Sequence, residues 1–135
     1  MKNALLMVLC ASVLVGCETI PGQTEVDRLS AQARVNDSVP TCATQQECQN
    51  KWDAAQAWLS KNAGFKIQTS SNAVVETYNS PEGSMEMAMK IIKEPIGDGK
   101  SKISLTVGCG NWLLGCNRNP NEAMQAFNDY VNAVK

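Results

Sequence analysis

The stretch Met85-Glu86-Met87-Ala88-Met89-Lys90-Ile91-Ile92-Lys93-Glu94-Pro95-Ile96-Gly97-Asp98-Gly99-Lys100-Ser101-Lys102-Ile103-Ser104-Leu105-Thr106-Val107-Gly108-Cys109 decides the fold. Met85 to Ile92 and Lys102 to Cys109 place an apolar residue at every second position. Period two belongs to strands, whose successive side chains point to opposite faces. Between them, Pro95-Ile96-Gly97-Asp98-Gly99 is turn chemistry and predicts a reversal. Upstream, Phe65 to Thr69 and Ala73 to Tyr78 alternate in the same way. Ser71-Asn72 and Ser80-Pro81-Glu82-Gly83 supply the breaks, so the expectation is a four-stranded antiparallel meander.

A slip of one residue in pairing flips every side chain, so the register can be tested for consistency. Opposing Met89 to Leu105, Val75 to Met87 and Phe65 to Thr77 gathers one apolar face. It holds Phe65, Ile67, Ala73, Val75, Met85, Met87, Met89, Ile91, Ile103, Leu105 and Val107. The opposite face then carries Lys66 across from Glu76, an ordinary cross-strand charge pair. Val74, Tyr78, Ala88 and Ile92 also lie there and are more apolar than a wetted face requires. Scattered apolar residues on a surface are normal, but Val74, Tyr78 and Ile92 are retained as a candidate interaction surface.

Two helices can cover the apolar face. Thr44 with Glu47 three residues on forms a capping box, and Cys48, Trp52, Ala55, Trp58 and Leu59 follow at helical spacing, with Gly64 expected to end the helix. At the tail, Asn119-Pro120-Asn121-Glu122 offers an N-cap, a proline at the first helical position and an acid at the third. Ala123, Met124, Phe127, Tyr130, Val131 and Val134 form the stripe. The predicted fold is α+β, in the order α-β-β-β-β-α, with both helices on one face of the meander.

The chain of 135 residues opens with Lys2, an apolar run from Ala4 to Val15 and Leu14-Val15-Gly16-Cys17. About 20 apolar residues are needed to span a bilayer, and this run is shorter. The four residues resemble the lipobox of bacterial lipoproteins. That resemblance implies a signal peptide over 1–16, lipid attachment at Cys17 and acylation of its amine. An ordinary secretory leader cut nearby would leave Cys17 a plain thiol. In enteric members of the group, aspartate after the cysteine retains the protein in the inner membrane. Glu18 stands here instead, which implies the outer membrane, facing the periplasm.

Residues 17–40 read as the lipidated cysteine and a flexible tether, and 41–135 as a single domain. From Thr24 to Asp37, Val26, Leu29 and Ala33 have helical spacing; the segment can form a short helix on the domain or stay loose, and the loose form is expected. A loose tether of roughly 20 residues reaches on the order of 25 Å.

Beyond Cys17 remain Cys42, Cys48, Cys109 and Cys116, an even count that reads as two disulfides in an oxidising compartment. Their spacings are wider than the usual zinc pairs, and C-x-x-C is absent. Cys42 and Cys48 flank a helix start and Cys109 and Cys116 flank a six-residue loop, so local pairing needs no long-range geometry. Bonds crossing between the two pairs remain the alternative.

The chain has no histidine, which excludes histidine triads and histidine metal sites; no metal or cofactor is expected. Losing Lys2 leaves 11 basic against 13 acidic side chains and no basic patch for nucleic acid. The best carboxylate pair is Glu76 with Glu86, which the expected register makes neighbours, although on an open face beside Lys66 and Lys90. The other candidate is Gly110-Asn111-Trp112-Leu113-Leu114-Gly115, an apolar tip that a Cys109–Cys116 bond would pin. Trp112, Leu113 and Leu114 either meet a partner or fold down to plug the core.

The pieces KWDAAQAWLSKNAGFKIQT, ETYNSP, KEPIGDGK and AFNDYVNAV, with a Gly-Cys pair before the last helix, are similar to small hypothetical lipoproteins of proteobacteria. The resemblance covers about 95 residues and implies location and disulfides, with no catalytic residue to carry over. The expected function is non-catalytic binding of an envelope partner by a membrane-anchored domain of unknown oligomeric state. The alternatives are an inhibitor or binder of cell-wall hydrolases and a carboxylate-dependent enzyme using Glu76 and Glu86.

Overall fold

The computed structural model describes residues 21–135, so the readings of the leader and of Cys17 lie outside the described residues. In chain order the elements are α1 (Pro21–Asp37), β1 (Thr41–Cys42), α2 (Gln45–Asn62), β2 (Ile67–Ser70), β3 (Val74–Thr77), β4 (Ala88–Gly97), β5 (Lys100–Gly108) and α3 (Pro120–Asn132). The strands form one antiparallel sheet in the order β1-β5-β4-β3-β2. The meander is therefore present, extended by a fifth strand on its outer edge. Thr41 and Cys42 oppose Lys102 and Ser101, and Ile103 N–H donates to the Pro40 carbonyl.

The central hairpin is longer and its turn tighter than expected. β4 continues through Pro95 and Ile96, and Gly97 opposes Lys100 across a loop of only Asp98 and Gly99. Both loop residues have positive φ, 53° and 72°. Aspartate–glycine is the pair that tolerates this geometry, in which the turn's twist matches that of the strands.

The pairings of β3 with β4, and of β4 with β5 from Ala88 to Pro95, differ from the expected ones by even numbers of residues. β2 slips by two at Ile67 and by three beyond a bulge, where Thr69 opposes Glu76 and Ser70 opposes Val75. Met89 opposes Val107 rather than Leu105, Val75 opposes Ile91 rather than Met87, and Ile67 rather than Phe65 opposes Thr77. Even slips leave each side chain on its own face. Val75, Met87, Met89, Ile91, Ile103 and Leu105 are accordingly buried with Trp52, Ala55, Trp58, Leu59, Ala123, Phe127 and Val131. The rings of Trp58 and Phe127 meet edge to face at 5.4 Å. The ends of the expected face stay outside: Ile67, Ala73 and Met85 are exposed and Phe65 is half-buried. β2 is an edge strand, whereas α2 and α3 pack on β4 and β5.

Thr44 caps α2 as expected, accepting from the Glu47 N–H at 3.2 Å. The Glu47 carboxylate reaches back to Ala43 N–H at 2.9 Å and pairs with buried Lys51 at 2.8 Å. The bond from Lys51 and then that from Ala43 hold the Glu47 carboxyl below its ordinary pKa. Gly64 does not end this helix. Ala63, in extended geometry, is the C-cap, and its N–H bonds to Leu59 O. At α3, Asn119 accepts from Asn121 and Glu122, with Pro120 at the first position.

Residues 21–37, expected to be loose, form a helix. Its expected stripe does not bury, because Val26, Leu29 and Ala33 are exposed. The chain docks through Val35 and Ser38 instead. Asn128 Nδ2 on α3 donates to Val35 O at 2.9 Å and to Ser38 Oγ at 3.0 Å, and Asn132 Nδ2 donates to Ser38 O at 2.8 Å. A lone helix of this length is marginal in water, so the docking stabilises it. The helical part of the presumed tether is thus a third helix, layered on α3.

Candidate functional site

The cysteines pair locally, Cys42 with Cys48 and Cys109 with Cys116. The second bond closes the loop that joins β5 to α3, and a neighbouring loop, 79–86, supports it from below. Gly110 N–H donates to Ser80 Oγ at 2.9 Å, Gly83 N–H to Gly110 O at 2.9 Å, and Asn111 Nδ2 to Gly83 O at 3.1 Å. On the far side, Asn117 N–H donates to Met85 O and its Nδ2 to Glu86 Oε1, each at 2.8 Å. The contact is close enough that a Cβ on Gly110 would collide with the Pro81 carbonyl.

The tip is ordered from within by Asn111. Its Oδ1 accepts from Leu113 N–H at 3.1 Å and Leu114 N–H at 2.8 Å, and its carbonyl accepts from Gly115 N–H at 3.1 Å. This is the local turn-making bond that asparagine offers. Trp112, Leu113 and Leu114 stand 86%, 73% and 70% exposed on this platform. They do not plug the core. No charged residue lies between Cys109 and Asn117, so the tip is a small uncharged apolar projection.

The sequence pointed to the tip, Gly110 and Asn111 included, and to its staple, but assigned no supporting role to Ser80, Gly110, Asn111 or Asn117. The Gly110-Asn111 pair was the available signal, since glycine permits close backbone approach and asparagine builds turns.

The face of the sheet away from α2 and α3 holds the second candidate surface. Val74 opposes Ile92, and both are half-buried. Tyr78 is exposed but lies beyond the Glu76–Lys90 pair, whose ions meet at 3.1 Å. The three residues therefore form no single apolar patch. Glu76 pairs with Lys90 rather than Lys66, because Lys66 O instead accepts from Tyr78 N–H.

The same register separates Glu76 from Glu86, which precedes β4 and bonds to Asn117. The expected carboxylate neighbours are thus not brought together. An open recess of about 400 Å³ at this end of the sheet includes Glu76, Lys90, Thr106 and Ser80. Its two ions neutralise each other.

A groove of about 780 Å³ runs between α1 and the end of the stapled loop. Thr24, Asp27, Arg28 and Ala31 line one wall, and Leu114, Gly115 and Cys116 line the other. Among the described residues there is no group of three or more His, Cys, Asp or Glu able to hold a metal, and no helix long and apolar enough to cross a membrane. Comparison of the chain with protein-family models, curated proteins and solved structures found no match.

Proposed function

We propose that this chain is a lipid-anchored envelope protein, held at the outer membrane and facing the periplasm, whose domain contacts another envelope component without catalysing a reaction. The observation that carries this reading is the exposed Trp112-Leu113-Leu114 tip on a platform fixed by Cys109–Cys116. Apolar side chains held out in water cost hydration free energy that only a contact recovers. Tryptophan is enriched where such contacts are strongest, and a pre-ordered loop loses little entropy on binding.

The address is supported by Leu14-Val15-Gly16-Cys17 and by the pairing of all four later cysteines, which suits an oxidising compartment. The absence of a Glu76–Glu86 neighbour pair removes the support for carboxylate catalysis. A photo-crosslinking residue at position 112, in cells, is expected to form a light-dependent adduct with an envelope component. A folded, envelope-located protein that yields no adduct there would refute the contact. Labelling by a palmitate analogue that persists in Cys17→Ala would refute the anchor.

A further inference from the structure

We infer that the Trp112-Leu113-Leu114 tip rests on the bilayer that holds the chain's own anchor, with its side chains entering the lipid interface. The inference names the component contacted and rests on the reading of Cys17 as the lipidated residue.

The direction of α1 carries it. Val35 and Ser38, at the end of α1, are bonded to Asn128 and Asn132 in the second half of α3. Thr24, Asp27 and Arg28, in its first half, share a groove with Leu114 and Gly115. The start of α1 therefore lies at the tip's end of the molecule. Cys17 precedes Pro21 by four residues, which span at most about 14 Å fully extended. Had α1 run the other way, its own length, about 25 Å, would have separated the anchor from the tip.

The chemistry of the tip suits lipid. Tryptophan places an apolar ring and one N–H at the boundary between acyl chains and headgroups, and leucine enters the chains. A backbone entering lipid must have its polar groups paired internally. The N–H groups of Leu113, Leu114 and Gly115 already have partners on Asn111. Val26 and Leu29, exposed and three residues apart on the first half of α1, add apolar surface at the same end.

The three tryptophans make the test direct, because Trp52 and Trp58 are 3% and 6% exposed while Trp112 stands free. The processed, lipidated full chain is reconstituted into vesicles of phosphatidylethanolamine and phosphatidylglycerol, with and without bromine on the acyl chains. Flotation with the vesicles reports the anchor, and bromine quenching of tryptophan emission reports the tip. The wild type is expected to float and to be quenched. Trp112→Phe, and separately Leu113→Asp with Leu114→Asp, are expected to float and lose the quenching, with unchanged far-ultraviolet circular dichroism and urea midpoint.

A wild type that floats unquenched, with Trp112 still open to aqueous acrylamide, overturns this inference alone and returns the tip to a protein partner. A processed chain that does not float overturns the anchor and this inference with it.

Discussion

Replacing Asn128 with alanine should loosen α1 from the domain, and the size of the effect follows from the bonds lost. The Asn128 amide is buried, 2% exposed, and donates to Val35 O and Ser38 Oγ. The Val35 carbonyl would not be orphaned, because Ser38 donates to it through both its N–H and its hydroxyl. The large penalty for an unsatisfied buried group therefore does not arise. What remains is the loss of two net hydrogen bonds, about 1 kcal/mol each. About 2 kcal/mol corresponds to roughly a 30-fold change in an opening equilibrium. Native-state hydrogen exchange reads it: amides in the second half of α1 should exchange roughly 30-fold faster in Asn128→Ala. Amides along the β2–β3 edge, whose local openings leave α1 in place, should not change. If wild-type α1 amides exchange at open-chain rates, or if the variant leaves them as slow as before, the docked helix is wrong and the loose tether returns.

Gly110→Ala should cost about 1–3 kcal/mol through collision with the Pro81 carbonyl, lowering the urea midpoint. Gly108→Ala, where a Cβ meets nothing within 4 Å, is the control and should shift far less. Replacing Cys109 and Cys116 together by serine should cost about 2.5 kcal/mol on the chain-entropy relation for so short a ring, read from urea unfolding. For Glu47, the folded-state pKa lies below the ordinary 4.5, so its stabilisation is fully present above that value and is lost as pH falls through the folded value. Glu47→Gln should therefore be less stable than wild type near neutrality, with the difference shrinking in acid. A constant difference across a urea series from about pH 7 to about pH 3 would contradict the assignment.

The sheet was legible in parity but not in register. Alternation at Met85 to Ile92 and Lys102 to Cys109 identifies which side chains share a face, and any even slip satisfies it equally well. The register is set by the turn, and there the decisive signal was only two residues long. Asp98-Gly99 closes the hairpin, whereas the proline before it suggested that the strand had already stopped. β1 was invisible for a related reason: a two-residue edge strand has no periodicity, and its existence depends on β5 being long enough to receive it. The consequence reached the site, because a four-residue slip between β3 and β4 moved Glu76 from Glu86 to Lys90.

α1 was misread because it docks through one buried apolar residue, Val35, and a set of polar contacts rather than through an apolar stripe. Val26, Leu29 and Ala33 form the stripe that periodicity detects, and they point to solvent. The contact that fixes the helix is made by the carbonyl of Val35 and by Ser38, against asparagines 90 or more residues away. Backbone carbonyls carry no residue identity, so such docking leaves almost no trace in a hydropathy pattern. Its effect on the proposed function is nevertheless large. A loose tether of roughly 20 residues decouples a domain's orientation from its anchor. If Cys17 is the anchor, as proposed, a docked helix beginning at Pro21 would couple them and turn the Trp112 tip toward the surface to which the chain is held.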